Sequence, residues 1–212
     1  MTIFTSKNYI PKIIFLYLLA STHHMTEEAI LQENELVELA KKDVVAFGKL
    51  YDRYFEGIYG FVFRRTDDDE KAGDITSQVF LKALTNLRKY EFRGLPFSAW
   101  LYRIASNEVK KHYRSKGNKI IFSLEEERVR ELIDENLSNE KEEHLNLLVS
   151  CLNELKTEVM EVLELRFFED RNFKEIAYIL NISESGAKMR TYRAIEKLKD
   201  SFNIKIRNHG EA

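Results

Sequence analysis

From Leu36 onward the apolar residues of this 212-residue chain recur at helical spacing, and few residues that could turn the backbone sharply interrupt them. Phe47, Leu50, Tyr51, Tyr54, Phe55, Ile58 and Val62 fall three and four apart and so define one face of a helix. The chain has 8 Gly and 2 Pro, about 5% of its residues against roughly 12% in average proteins. Barrels and sandwiches need more turns than that, so the expected fold is all-α. The length suits one large domain or two small ones at about 150 residues per domain. With 44% hydrophobic and 32% charged residues the composition is that of a globular chain, not a disordered one.

Punctuation along the chain divides the helices. Thr66-Asp67-Asp68-Asp69 ends the first long helix and supplies a cap for the next, which carries Ile75, Val79, Phe80, Ala83, Leu84 and Leu87 on one stripe. Asp74, Ser77 and Gln78 fall off that stripe and form an exposed polar patch, a solvated face or a docking site. Periodicity then lapses from Arg88 to Pro96, a loop holding Arg88, Lys89, Tyr90, Phe92 and Arg93. Aromatic rings interleaved with cations suit unpaired bases, which stack on the rings while Lys and Arg follow the backbone. Rings of this kind are also ordinary core residues, and Trp100, in register with Leu101 and Ile104, reads as core. Pro96 is placed to open a third helix. There Arg103, Asn107, Lys110 and Arg114, spaced four, three and four, make a polar ridge.

Residues 116–143 read as an acidic, flexible linker, and helical patterning returns at Leu145, Leu148, Cys151, Leu152 and Leu155. Thr157 is placed to cap the next helix. The sharpest local pattern follows: Phe173 to Leu180, a turn at Asn181-Ile182, Ser183 as N-cap, and a second helix from about Glu184 to Phe202. Small Ala177 permits close approach of the second helix and Ile182 plugs the turn. This is the pattern of a helix-turn-helix, with an ordinary helical hairpin as its alternative. Lys188, Arg190 and Arg193 project from the second helix and suit phosphates and guanine edges.

The net charge of −2 conceals segments of opposite sign. Leu101 to Lys119 has six Lys/Arg against one Glu, and Arg171 to Arg207 has nine against four acids, +5 in each case. Between them, Leu124 to Glu143 has nine acids against three bases, −6. Two basic blocks flanking an acidic one fit two nucleic-acid contact surfaces joined by a segment that avoids nucleic acid. Enzyme chemistry has little to stand on. The five His show no metal-ligand spacing, and neither a Gly-rich phosphate loop nor a nucleophile elbow occurs. No metal, cofactor or small-molecule substrate is expected. The single Cys151 excludes an internal disulfide and suits a reducing compartment as an inert core thiol.

Residues 1–24 contain Lys7 and Lys12, no acid, and an apolar run from Ile13 to Ala20, the outline of a short secretory signal. As a helix that run reaches about 12 Å, far short of a hydrocarbon core of about 30 Å. Met25 opens a polar, helix-favouring stretch, so the working start is expected at Met25, with residues 1–24 outside the fold. N-terminal sequencing of the native protein tests this.

Taken together, the run from Asp74 to Leu84, then Phe92-Arg93-Gly94, then Phe97 to Asn107 with Trp100-Leu101-Tyr102-Arg103-Ile104-Ala105, then the helix-turn-helix, resembles a bacterial sigma factor of the sigma-seventy superfamily. With two domains it is most similar to the extracytoplasmic-function subfamily. The resemblance implies a region 2-like helical domain over 25–115 and a region 4-like domain over 144–212. It implies a cytoplasmic, non-enzymatic subunit that binds core RNA polymerase and directs transcription initiation, and an anti-sigma factor as a restraining partner. Asp74, Ser77 and Gln78 would dock on the polymerase clamp. Lys89, Tyr90, Phe92, Arg93, Arg103, Asn107, Lys110 and Arg114 would melt the downstream promoter element and hold a flipped base of the single strand. Ser183, Lys188, Arg190 and Arg193 would serve the upstream element as duplex. Two departures stand out. The family carries Gln-Glu where this chain has Ser77-Gln78, and Thr-Val-Lys-Ser-Arg where it has Gly186-Ala187-Lys188-Met189-Arg190. Loss of the Thr hydroxyl removes a phosphate contact, so promoter sequence does not carry over. The alternative is a stand-alone dimeric helix-turn-helix regulator, for which the ring-and-cation loop and the acidic linker are surplus.

Overall fold

The computed structural model describes residues 25–116 and 139–210. In chain order the helices are α1 (Glu27–Ala40), α2 (Val44–Thr66), α3 (Asp69–Asn86), α4 (Phe97–Lys116), α5 (Asn139–Asn153), α6 (Thr157–Leu163), α7 (Phe173–Leu180) and α8 (Glu184–Gly210). No strand occurs among the described residues, as the spacing of apolar residues implies. No helix among them is long and apolar enough to cross a membrane. Residues 1–24 and most of the acidic linker, 117–138, lie outside the described residues.

Short polar side chains cap α1, α2 and α3. Thr26 accepts from the Ala29 N–H at 3.2 Å, Asp43 from Val45 at 2.9 Å and Asp68 from Lys71 at 3.0 Å, each satisfying a donor that the first turn leaves orphaned. The Lys71 ammonium also bonds Asp68 and, with the backbone donor, holds its carboxyl below the usual carboxylate range. Asp67 ends α2 in the left-handed conformation, φ 49°, which Asp tolerates better than most residues. Thr157 does not cap α6. Lys156 occupies the cap position and makes no side-chain cap bond, because an ammonium has only donors to offer. Two boundaries also move. α5 begins at Asn139, so residues 139–143 of the expected linker are helical, and α8 runs on to Gly210.

The described residues divide into two compact units. Residues 25–116 and 171–187 form one, in which α4 packs against α1, α2, α3 and α7. Its core includes Val37, Leu50, Ile58, Phe61, Val62, Val79, Leu101 and Ala105, all fully buried. Burial stabilises a large apolar side chain by about 1.5–3 kcal/mol, against about 0–1 kcal/mol for an exposed ion pair. Packing therefore carries this unit. Residues 139–170 and 188–210 form the other, built on Cys151, Leu152, Met160, Val162, Leu163, Leu165, Ala194, Leu198 and Phe202. There the Lys205 ammonium ties α8 to α5 through Ser150 at 2.7 Å and to Glu154, just past the end of α5, at 2.6 Å. Cys151 is wholly buried, as a core thiol should be.

Glu33 fixes where α4 begins. Its carboxylate, 4% exposed, accepts the Phe97 N–H at 2.7 Å, so a residue 64 positions upstream caps α4. It also accepts from the Tyr54 hydroxyl and, at 3.3 Å, from Arg53. Burial, reinforced by the neighbouring Glu33 charge, pushes the Tyr54 phenol well above its ordinary range, so the hydroxyl stays a donor.

Candidate functional site

On α3 the side chains separate as the sequence predicts. Ile75, Thr76, Val79, Phe80 and Ala83 face the core, while Asp74, Ser77 and Gln78 are exposed. Leu81 and Leu84 prolong that open face, 59% and 36% exposed. Leu84 thus leaves the stripe assigned to it. An open cleft of about 300 Å³ lies between α3 and α4, lined by Asp74, Ile75, Gln78, Glu108, Lys111 and His112. The Lys82–Glu108 ion pair joins the same two helices.

The loop after α3 holds a mixture of buried and open residues. A tight turn at Leu87–Lys89 leads into Tyr90, whose ring is buried edge-on against Phe97 (5.4 Å, 77°) and beside Trp100 (5.0 Å). Lys41 donates to the Tyr90 carbonyl at 3.0 Å and so anchors the loop to the end of α1. Tyr90 therefore does not face solvent, because Phe97 and Trp100 on the first turn of α4 close over it. Burial pushes its phenol up, out of the range in which it would ionise. Trp100, expected as core, keeps part of its ring open at the rim of this cluster. Phe92 is the partly open ring of the loop, flanked by exposed Lys89 and Arg93. Gly94 takes φ +65°, a conformation that costs most residues with a side chain about 1–2 kcal/mol.

Along α4 the ridge is continuous but not uniform. Asn107 and Arg114 are exposed, and Lys110 is partly buried. Arg103 is engaged within its own unit: its Nη2 donates to Asn181 Oδ1 at 3.3 Å, and its guanidinium lies 4.9 Å from the centre of the Tyr178 ring. Arg171 reinforces the α4–α7 packing through Ser98 Oγ at 2.8 Å, Glu175 at 3.2 Å and the Tyr102 ring at 4.6 Å. α7 itself opens on a reciprocal cap, in which Asn172 Oδ1 accepts from the Glu175 N–H at 2.8 Å and Asn172 Nδ2 donates to Glu175 Oε1 at 2.7 Å. It closes at Asn181 in the left-handed conformation, with the Ile182 N–H returning to the Ala177 carbonyl at 3.0 Å.

Ser183 caps α8 as expected, accepting the Gly186 N–H at 3.0 Å. A Cβ at position 186 would approach Ser183 Oγ to 3.0 Å, so glycine there leaves the cap undisturbed. Ala187, Thr191, Ala194 and Leu198 form the buried stripe of α8, while Lys188, Arg190 and Arg193 are exposed, as are Met189 and Tyr192 between them. The sequence assigns no role to Glu33, Tyr178 and Arg171, and to Asn181 only the turn, not its bond to Arg103. One signal was available: Glu33 precedes Val37 by four and Ala40 by seven, so it stands as a charge on the buried stripe of α1. Among the described residues no cluster of His, Cys, Asp and Glu could hold a metal ion.

Comparison with known proteins matches Sigma-70 region 2 to residues 50–119 and Sigma-70, region 4 to residues 151–200. The chain is similar to the ECF RNA polymerase sigma factor BldN of Streptomyces coelicolor, 31% identical over 173 residues, 77% of this chain. It spans 63% of that relative's length. It is also similar to the RNA polymerase sigma factor YlaC of Bacillus subtilis, 32% identical over 160 residues, covering 72% of this chain and 90% of that one. In fold it resembles CnrH, solved in complex with the cytosolic domain of CnrY, with a TM-score of 0.58 at 22% identity over 81% of this chain and 97% of the other.

Proposed function

The chain belongs to the ECF sigma factors, and from that membership we propose that it is a cytoplasmic promoter-specificity subunit that binds core RNA polymerase and recognises and melts promoter DNA. It has no catalytic chemistry of its own; its binding energy positions the polymerase and opens the duplex. The open face of α3, Asp74, Ser77 and Gln78 with Leu81, docks on the polymerase. Phe92, with Lys89 and Arg93 beside it, receives unpaired bases of the downstream element. Asn107, Lys110, Arg114 and Arg103 lie along the strand. Tyr90 acts from beneath, as the floor on which the loop rests. α8 reads the upstream element as duplex, with Lys188, Arg190 and Arg193 supplying contacts and Ser183 holding its first turn. A protein that holds an ECF sigma factor inactive, an anti-sigma factor, is the further partner.

The observation that supports this reading is that one chain exposes both a loop of ring and cations, of the kind that suits single strands, and a cationic helix face capped by Ser183, of the kind that suits duplex. The test is co-elution of the chain with bacterial core RNA polymerase at moderate salt. A one-to-one complex supports the proposal. A folded protein that elutes alone, or a dimer that shifts duplex DNA unaided, replaces it with a stand-alone regulator.

Lys188→Ala is expected to weaken binding of the reconstituted holoenzyme to the upstream element about fivefold or more and to lower the slope of log K against log salt by about 1. Titration of a fluorescent duplex at several salt concentrations measures both. An unchanged slope removes Lys188 from the phosphate contacts.

A further inference from the structure

The buried stripe of α8 fixes which side of the helix remains available. Ala187, Thr191, Ala194 and Leu198, at spacings of four, three and four, are each no more than 4% exposed. At about 100° per residue the side chain most nearly opposite that stripe in the first turns is Met189, with Ser185, Tyr192 and Arg193 next to it. Met189 is 50% exposed and Tyr192 53%. An apolar thioether thus stands at the middle of the surface that the cations Lys188, Arg190 and Arg193 frame.

Methionine has no hydrogen-bond donor and only a weak acceptor, so it cannot read the donor and acceptor pattern that distinguishes most base edges. The apolar feature of the major groove is the C5-methyl group of thymine. An unbranched thioether adapts its shape to a methyl group, and the flanking cations hold the helix to the phosphates on either side. Tyr192 differs in carrying a hydroxyl that can serve as donor or acceptor.

We propose that Met189 reads a thymine of the upstream element through its C5-methyl group, so that this chain selects a T·A pair opposite the first turns of α8 by apolar contact. The proposal rests on α8 being the duplex-reading helix.

The test uses the full chain reconstituted with core RNA polymerase and a pool of promoter fragments randomised in the upstream element. Wild type is expected to enrich a thymine that Met189→Ala no longer selects and that Met189→Leu, still apolar, retains. Replacing that thymine by uracil deletes the methyl group alone. It should weaken wild-type binding about fourfold, the worth of one buried methyl-sized group, and leave Met189→Ala binding nearly unchanged. Enrichment of an element with no position sensitive to Met189→Ala overturns the assignment while leaving the sigma reading intact, as does an equal uracil penalty in both proteins. Failure of wild type to enrich any sequence overturns both. Met189 lies outside the buried stripe, so a changed thermal transition is not expected in either variant.

Discussion

Glu33→Ala is expected to lower the stability of the unit containing α1 to α4 by about 3 kcal/mol. The carboxylate is almost fully buried and satisfies two donors that water cannot reach easily, the Phe97 N–H and the Tyr54 hydroxyl. Leaving a buried donor unpaired costs about 1–3 kcal/mol, so these two account for the effect. Arg53 adds little, because its side chain is 50% exposed and its charge is screened. Tyr54→Phe removes one donor while Glu33 Oε1 keeps its bond from Arg53, and should cost about 1 kcal/mol. Urea denaturation of the three proteins gives the comparison; a loss below about 0.5 kcal/mol for Glu33→Ala would remove Glu33 as the anchor of α4. Because α4 carries the ridge from Arg103 to Arg114, the same substitution should impair promoter opening without touching DNA.

The two rings of the loop should separate cleanly on mutation. Tyr90→Ala empties a site enclosed by Phe97 and Trp100, and truncation of a buried aromatic costs about 3–5 kcal/mol. Phe92→Ala removes a partly open ring and should cost under about 1 kcal/mol in stability. It should nevertheless slow promoter opening about tenfold, since stacking on an aromatic side chain contributes about 1–3 kcal/mol per base. Thermal melting of each variant, paired with a fluorescence assay of strand opening by the holoenzyme, reads the two effects independently. Wild-type opening by Phe92→Ala would detach the loop from melting altogether.

The difference between these rings shows what a sequence conceals. Helices were legible because their periodicity is local: the face from Phe47 to Val62, the caps at Asp68 and Ser183 and the turn before α8 all depend on neighbours within a few positions. Exposure of Asp74, Ser77 and Gln78 followed from the same periodicity. Tyr90 and Phe92 are two residues apart in an aperiodic loop, and their fates are decided by Phe97 and Trp100 and by Lys41, 49 positions away. Glu33 reaches Phe97 across 64 positions, Arg171 reaches Ser98 across 73 and Arg103 reaches Asn181 across 78. Such pairings are set by how helices pack, and no local spacing announces them. Thr157 failed for another reason: a residue type that favours the cap also suits the first turn, and the chain enters α6 one residue earlier.

Arg103, proposed above to lie along the opened strand, comes to that contact with partners of its own. Its guanidinium already holds Asn181 Oδ1 and the Tyr178 ring, and both partners are electrically neutral. A phosphate that took the Nη2 donor of Arg103 would neutralise a full positive charge in exchange for the Asn181 bond. The ionic-strength dependence of binding counts displaced counterions and registers Arg103 as a complete contact. Affinity at any one ionic strength registers only the exchange. The two observables part company at this residue, and a protein whose salt slope promises more grip than its dissociation constant delivers is one whose cations were spoken for before the nucleic acid arrived.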